Sequence, residues 1–137
     1  MNEIDLSSLS RAIARLDEAL GEYEAEPARA LLRDGLIQRF EFTYDLTHKM
    51  IRRVMEVTAA HPSEVDHLSF AALFRVATER GLVDQGWPKW EDIRKMRNVT
   101  SHTYDEDEAK KVVAAIPSFL EEARDILARL ERAVGAR

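Results

Sequence analysis

The amino-acid sequence predicts an all-α protein, an up-and-down bundle of four or five helices. Apolar residues recur at steps of three and four, and no stretch alternates apolar with polar residues as a half-buried strand does. Glycine and proline are scarce, with five and four copies. Because 137 residues, 45% of them hydrophobic, suffice for one core but are cramped for two, we predict a single domain over residues 1–137.

The first two predicted helices differ in how much of their surface is apolar. The first is amphipathic, and its single stripe consists of Leu6, Leu9, Ile13, Leu16, Leu20 and Tyr23. Gly21 and then Pro27 are expected to end it. The second, from about Ala28 to Thr58, is apolar on two faces. It must therefore be covered twice, either at the centre of the bundle or with one face buried in a second subunit.

A shorter helix follows a proline break. Pro62 interrupts the chain after the second helix, because the residue before a proline disfavours helical geometry. Ser69 is placed to cap a helix from Phe70 to Arg80, since its hydroxyl can accept a hydrogen bond from a free N–H of the first turn. Gly81 is expected to end that helix.

The last two predicted helices flank a polar segment. Pro88 suits the first turn of a helix from Trp90 to about Asn98, because proline needs no backbone donor there. Asp105 is placed to cap the final helix, in an acidic stretch that favours the positive end of the helix dipole. Pro117 is expected to kink or split this helix.

Composition excludes several classes of protein. The absence of cysteine rules out disulfides, a thiolate nucleophile and a Cys-type zinc site. No apolar run approaches the roughly 20 residues of a membrane span, and Glu3 and Asp5 are unlike a signal peptide, so we expect a soluble cytoplasmic protein without a membrane partner. A net charge of −5 argues against a protein that coats nucleic acid.

The charge is unevenly distributed. Residues 1–68 hold 8 basic and 13 acidic side chains, whereas residues 69–137 hold 12 of each. The stretch 87–103 has a local excess of cations: Lys89, Arg94, Lys95 and Arg97 against Glu91 and Asp92. A basic patch on an acidic protein indicates a confined anion site and not a long nucleic-acid groove.

Arg97 and His102 are the residues in this stretch best suited to chemistry. A guanidinium holds phosphate through a planar fork of donors, and a histidine transfers protons near neutral pH. Together they are the minimum set for metal-independent RNA cleavage. Because five residues on a helix rotate by about 140°, we place the pair across a helix end and tight loop, where both can converge. A two-fold axis could also bring a second copy of each to the same site.

Other residues admit a functional and a purely structural interpretation. Arg39, Glu41, Tyr44 and Asp45 either line the site or bind a partner, or else pair along the helix surface while Tyr44 packs in the core; we favour the structural interpretation. Glu41, Asp45 and His48 are spaced as metal ligands but lack the second carboxylate–histidine pair of a di-metal bundle, so we predict no metal and no cofactor. Trp87 and Trp90 are expected to be core or interface anchors and not platforms for a base.

The polar segment also resembles a family signature. Arg97-Asn98, three residues, His102, one residue and Tyr104 resembles the Arg, four to six residues, His, any residue, Tyr motif of HEPN-domain proteins. Further matches in order along residues 5–133 are the run from Gln38 to Leu46, Lys49, Phe74-Arg75, Ala77, Gly81-Leu82, Trp90 and Met96-Arg97-Asn98. They are similar to the branch called nucleotidyltransferase substrate-binding proteins. His48 departs from it, because an aromatic such as tryptophan is expected there.

This resemblance implies a helical-bundle homodimer that works with a minimal nucleotidyltransferase (MNT) as a toxin–antitoxin pair. The HEPN protein would be a ribonuclease or RNA-binding toxin, with Arg97 and His102 catalytic and Asn98 orienting the site. The MNT protein would adenylylate Tyr104, placing a bulky anion two residues from His102. An alternative for the same family is a non-catalytic subunit that presents substrate or nucleotide to the transferase.

Overall fold

The computed structural model describes residues 4–135, and every regular element in that range is helical. The elements are α1 (Ser7–Ala25), α2 (Ala30–Thr58), α3 (Ser63–Asp66), α4 (Phe70–Glu79), α5 (Trp87–Val99), a 3₁₀ turn (Thr100–His102) and α6 (Glu106–Gly135). The predicted all-α bundle is confirmed, with α3 as a one-turn addition to the expected four or five helices. The outermost residues of the predicted 1–137 domain lie outside the described range.

Helix α2 occupies the centre of the bundle. It packs against α1 on one side and against α6 and α4 elsewhere, while α5 lies on α6 and α4. The two apolar faces predicted for α2 thus both meet other helices of the same chain. Leu32, Leu46 and Val57 of the second face are only half-buried, so the burial of that face in a second subunit stays a prediction. None of the described helices combines the length and apolar character needed to cross a membrane.

Aromatic side chains form the part of the core beneath α5. Trp90 is fully buried and stacks on Phe74, with ring centroids 4.4 Å apart. Phe40 meets Phe119 edge to face at 4.9 Å, joining α2 to α6. Trp87 is half-buried against Phe70. Both tryptophans therefore have the anchoring role expected of them.

The predicted caps are confirmed. Ser69 Oγ accepts a hydrogen bond from the Ala72 N–H at 3.2 Å. Gly81 ends α4 with a φ of +77°, a left-handed geometry that glycine adopts without steric cost. Asp105 Oδ1 accepts from the N–H groups of Asp107 and Glu108 at 2.8 and 3.4 Å, which fixes the start of α6 directly after the polar segment.

Helix α1 ends at Ala25, between Gly21 and Pro27, the two residues expected to end it. It continues through Gly21, since one helical glycine costs only about 1 kcal/mol. The predicted start of the fifth helix was wrong. Helix α5 begins at Trp87 and not at Trp90. Pro117 lies inside α6 without splitting it, because buried Ile116 and Phe119 hold both sides of the proline against the core.

Candidate active site

The polar segment lies where α5 gives way to α6. Arg97 is in the last turn of α5, His102 closes the 3₁₀ turn, and Asp105 caps α6. Valine, threonine and serine between Arg97 and His102 are mediocre helix formers, and the α-helix tightens into a 3₁₀ turn across them. The motif lies across a helix end and a tight turn, as predicted. The convergence of the Arg97 and His102 side chains stays a prediction.

Arg97 is held by two carboxylates of α2. Its Nε and Nη2 atoms donate to Asp45 Oδ1 and Oδ2, each at 3.3 Å, in a two-point ion pair. Its Nη1 atom lies 3.3 Å from Glu41 Oε2. The hydrogen bonds to Asp45 raise the pKa of the Arg97 guanidinium above its ordinary value, and the negative charges of Asp45 and Glu41 act in the same direction. A permanent cation is thus fixed in place between α5 and α2.

Thr100 completes the environment of Arg97, and sequence reasoning missed it. Its Oγ1 accepts from Arg97 Nη1 at 3.0 Å and donates to the Arg97 carbonyl oxygen at 2.6 Å. Only 8% of Thr100 is exposed. The available signal was its position three residues after Arg97 at a helix end, where threonine hydroxyls commonly bond to the preceding turn.

His102 and Tyr104 are presented to solvent. Tyr104 is 86% exposed, and His102 is also exposed. Their ring centroids lie 6.1 Å apart, and the rings are nearly perpendicular, at 77°. Neither side chain forms a hydrogen bond with another residue between 4 and 135. A substrate or a modifying enzyme can reach both rings without moving the helices.

The other residues predicted for the site, Asn98, Arg39 and Tyr44, lie in three different parts of the structure. Asn98 is exposed, and its carbonyl oxygen accepts from Ser101 Oγ at 3.0 Å. Arg39 faces α1, where Nη1 donates to the Arg15 carbonyl oxygen at 2.9 Å. Tyr44 is 6% exposed in the core, and burial raises its pKa to about 12. Core packing was the interpretation favoured for Tyr44.

Glu41 and Asp45 follow the interpretation that the sequence analysis did not favour. They lie one turn apart on α2 and point to Arg97, so they line the site instead of pairing along their own helix. The preference for pairing along the helix surface was wrong for these two residues. Asp45 and Arg97 are 52 residues apart in sequence. Helical spacing relates only residues of the same helix, so it could not reveal this contact.

His48 packs among aromatic rings of α4. Its ring centroid lies 4.7 Å from that of Phe70 and 6.1 Å from that of Phe74. Burial, reinforced by the charge of Arg52, lowers the pKa of His48. His48 is thus half-buried beside the rings of Phe70 and Phe74, where an aromatic side chain was expected. Among residues 4–135, no three potential metal-ligating side chains form a group.

Comparison with known proteins gives consistent matches over nearly the whole chain. A family model described as nucleotidyltransferase substrate binding protein like matches residues 4–132. A Haemophilus influenzae protein named probable ribonuclease HepT is 32% identical over 139 aligned residues, covering 96% of this chain and 94% of that protein.

Two solved structures share the fold. One, from Haemophilus influenzae, is described as the fold of a substrate binding domain of a nucleotidyltransferase; it has a TM-score of 0.87 at 32% identity and covers 93% of this chain and 99% of its own. A Thermus thermophilus crystal structure has a TM-score of 0.74 at 26% identity, with 89% and 98% covered. The bundle is therefore similar to these two structures over 93% and 89% of this chain.

Proposed function

The chain belongs to the family of nucleotidyltransferase substrate binding protein-like proteins, and from this premise we propose that it is a HEPN-type toxin subunit that cleaves RNA without a metal ion. The relative named probable ribonuclease HepT supports this activity. The observation that carries the proposal is the arrangement at the end of α5, where a fixed guanidinium on Arg97 is followed by the freely accessible imidazole of His102.

The proposed reaction uses the two side chains in different ways. The RNA 2′-oxygen attacks the adjacent phosphorus, the bond from phosphorus to the 5′-oxygen breaks, and a cyclic phosphate and a 5′-hydroxyl result. Either His102 accepts the proton from the 2′-hydroxyl and water protonates the departing 5′-oxygen, or water accepts the 2′-hydroxyl proton and His102 donates one to the 5′-oxygen. Arg97 stabilises the negative charge that develops on the phosphoryl oxygens. Asn98, exposed one residue after Arg97, is assigned to orient the site.

Thr100, Glu41 and Asp45 serve this reaction by positioning Arg97. They hold its side chain from three directions, so little conformational entropy remains to be lost when a phosphate binds. A phosphate also competes with Asp45 for N–H donors of the guanidinium. The site therefore trades some affinity at Arg97 for a defined geometry.

The proposed partners are a second copy of the chain and a minimal nucleotidyltransferase. A homodimer would bring a second Arg97 and His102 to the same site. A minimal nucleotidyltransferase would act on Tyr104, whose 86% exposure allows its hydroxyl to attack the α-phosphate of ATP and release pyrophosphate. The attached AMP would place an anion beside His102 and block the approach of RNA. We place this regulation in the cytoplasm.

The experiment is an RNA cleavage assay with EDTA present. We expect the wild-type protein to cleave a labelled single-stranded RNA, and His102→Ala to lose at least about 100-fold in rate, because general acid–base catalysis contributes that much or more. His61→Ala is the matched control, since His61 is also exposed but lies in the loop after α2. Cleavage by His102→Ala at the wild-type rate would reject the assignment.

A second candidate function is a non-catalytic subunit that binds a nucleotide or substrate for a nucleotidyltransferase. The structural relative with a TM-score of 0.87 and its description as a substrate binding domain favour it. This candidate predicts a tight complex with a nucleotidyltransferase and no RNA turnover by either protein. Co-expression with an MNT protein separates the two, because one AMP on Tyr104 supports the toxin and a complex without modification supports the binding subunit.

A further inference from the structure

A groove between α1 and α2 runs beside the candidate active site. Its volume is about 420 Å³, within the range of roughly 300–1,000 Å³ that small-molecule sites have. The lining that matters for binding consists of Arg11, Arg15, Arg39, Phe42, Asp45 and Leu46. Asp45 is shared with the Arg97 site, so the groove opens directly beside the side chain proposed to hold the scissile phosphate.

The charge of the groove favours an anionic ligand. Arg11, Arg15 and Arg39 form no salt bridge with any residue in the range 4–135. Asp45 is the acidic side chain in the lining, so three guanidinium groups stand against one carboxylate there. This concentration of cations lies in the half of the chain whose net charge is negative, so it is a local feature and not a general property of the surface.

Phe42 gives the groove an aromatic surface. Its side chain is 54% exposed, although a phenyl ring of this size is usually buried. Leu46 lies one turn further along α2 and extends the apolar floor. An exposed ring flanked by arginines is the combination on which single-stranded nucleic acids bind, with bases stacked on the ring and phosphates beside the cations.

The walls of the groove are held together before any ligand arrives. Arg39 on α2 donates to the Arg15 carbonyl oxygen on α1 at 2.9 Å. Thr43 Oγ1 lies 3.4 Å from the Ala12 carbonyl oxygen, also across the two helices. A preformed groove requires less ordering on binding than a flexible surface does.

We propose that this groove binds a nucleotide of single-stranded RNA next to the scissile phosphate, with its base on Phe42 and its phosphates beside Arg11 and Arg15. The proposal rests on the function proposed above, because it assigns to the same reaction the surface that holds the substrate strand. It also accounts for the exposure of Phe42 and for the cluster of cations, neither of which the chemistry at Arg97 and His102 requires.

The test measures RNA affinity in a His102→Ala background, so that binding is read without cleavage. The probe is a fluorescein-labelled single-stranded RNA of mixed sequence, followed by anisotropy. We expect Phe42→Ala to weaken binding about five-fold or more, the contribution of one stacked base. We expect the Arg11→Gln, Arg15→Gln double variant to weaken it at least about ten-fold. The matched control is Arg75→Gln, Arg80→Gln, the same loss of charge at exposed positions on and beside α4.

Several results would overturn the proposal. One is an unchanged affinity in both groove variants. Another is a change of molar mass for Phe42→Ala in light scattering, which would make the groove a contact between two copies of the chain. A third is that the groove variants lose binding to an MNT protein while their affinity for RNA is unchanged. ATP that binds as tightly as the RNA would make the groove a mononucleotide site and reject the RNA strand as its occupant.

The outcome is separable from that of the proposed function. If wild-type protein fails to cleave RNA while both groove variants weaken RNA binding, the groove assignment stands and the ribonuclease assignment fails. If His102→Ala abolishes cleavage while the groove variants bind RNA normally, the ribonuclease stands and the groove assignment fails. Phe42→Leu is the second variant for the groove, because it keeps apolar volume and removes only the aromatic face.

Discussion

The two parts of the candidate active site are held in opposite ways. The anchored part, Arg97 and Thr100, is bonded to α2 and to the end of its own helix. The exposed part, His102 and Tyr104, faces solvent within a short turn between two helices. The contrast matches the two kinds of chemistry involved, since charge stabilisation benefits from rigid placement whereas proton transfer needs access to the substrate.

This difference means that the two parts respond differently to mutation. Substitutions in the anchored part alter stability as well as activity, because they leave carboxylates or donors without partners. Substitutions in the exposed part leave stability nearly unchanged even where they alter activity, because surface changes cost little stability. Measuring both quantities for each variant therefore tests the contrast itself.

The largest combined effect is expected for Arg97→Ala. We expect cleavage to fall by about 100- to 1,000-fold, as for loss of a charge-stabilising donor, and the free energy of unfolding to fall by about 1 kcal/mol. The stability loss is modest because Asp45 is 58% exposed and well solvated. Urea unfolding and the RNA assay measure the two changes.

His102→Ala is the matched comparison for that variant. It should lose cleavage to a similar extent while its free energy of unfolding stays within about 0.5 kcal/mol of wild type. Arg97→Lys should recover part of the stability but not the rate, because an ammonium lacks the planar fork that meets Asp45 at two points. Equal destabilisation by Arg97→Ala and His102→Ala would contradict the division into two parts.

Thr100→Val tests how much the buried hydroxyl contributes to the anchored part. The variant removes the acceptor of Arg97 Nη1, so we expect the free energy of unfolding to fall by about 1 kcal/mol and cleavage to slow several-fold. Thr103→Val is the control, since Thr103 bonds to the Thr100 carbonyl oxygen and not to Arg97. If Thr103→Val slows cleavage as much as Thr100→Val does, the effect does not act through Arg97.

His48→Phe tests the aromatic core beneath the anchored part through its dependence on pH. Because the folded-state pKa of His48 lies below its ordinary value of 6.5, the unfolded chain takes up a proton that the folded chain refuses, and stability falls as pH decreases below 6.5. We expect His48→Phe to lose less stability than wild type over that acidic range in urea titrations. Parallel losses in the two proteins would show that His48 does not titrate in this way.

Tyr104→Phe should have the smallest effect on the isolated protein. The Tyr104 hydroxyl forms no hydrogen bond within residues 4–135, so cleavage and stability should match wild type. Co-expressed with an MNT protein, the variant should gain no AMP and should remain active, whereas wild type should be modified and inhibited. Mass spectrometry reads the modification, and AMP found on the variant would place it on another residue.

Strong local patterns made much of the fold predictable from the sequence. The span of α2 was predicted to within two residues, because its apolar positions repeat at helical spacing over many turns. The caps at Ser69 and Asp105 were predictable because hydroxyl and carboxylate side chains bond locally to the first turn of a helix. Helix α3 was missed because four residues are too few for a periodic pattern.

The contacts around Arg97 could not be predicted from local patterns. Glu41 and Asp45 are separated from Arg97 in sequence by about the second half of α2, all of α3 and α4, and most of α5. Helical periodicity shows which residues share a face, but it does not show which neighbouring helix that face meets. The groove was missed for the same reason, since Arg11 and Arg15 share a face of α1 and only packing brings Phe42 beside them.

The ion pairs of Arg97 also bear on how RNA binding should depend on salt. A free arginine that binds a phosphate releases condensed counterions from the nucleic acid, and each such contact steepens the dependence of affinity on salt concentration. Arg97 already has two carboxylates beside it, so a phosphate there largely replaces one anion with another. Arg11 and Arg15 form no such pairs within residues 4–135 and would carry the salt dependence. Ionic strength would then govern how much RNA is bound, while the charge balance at the reacting phosphate changes little.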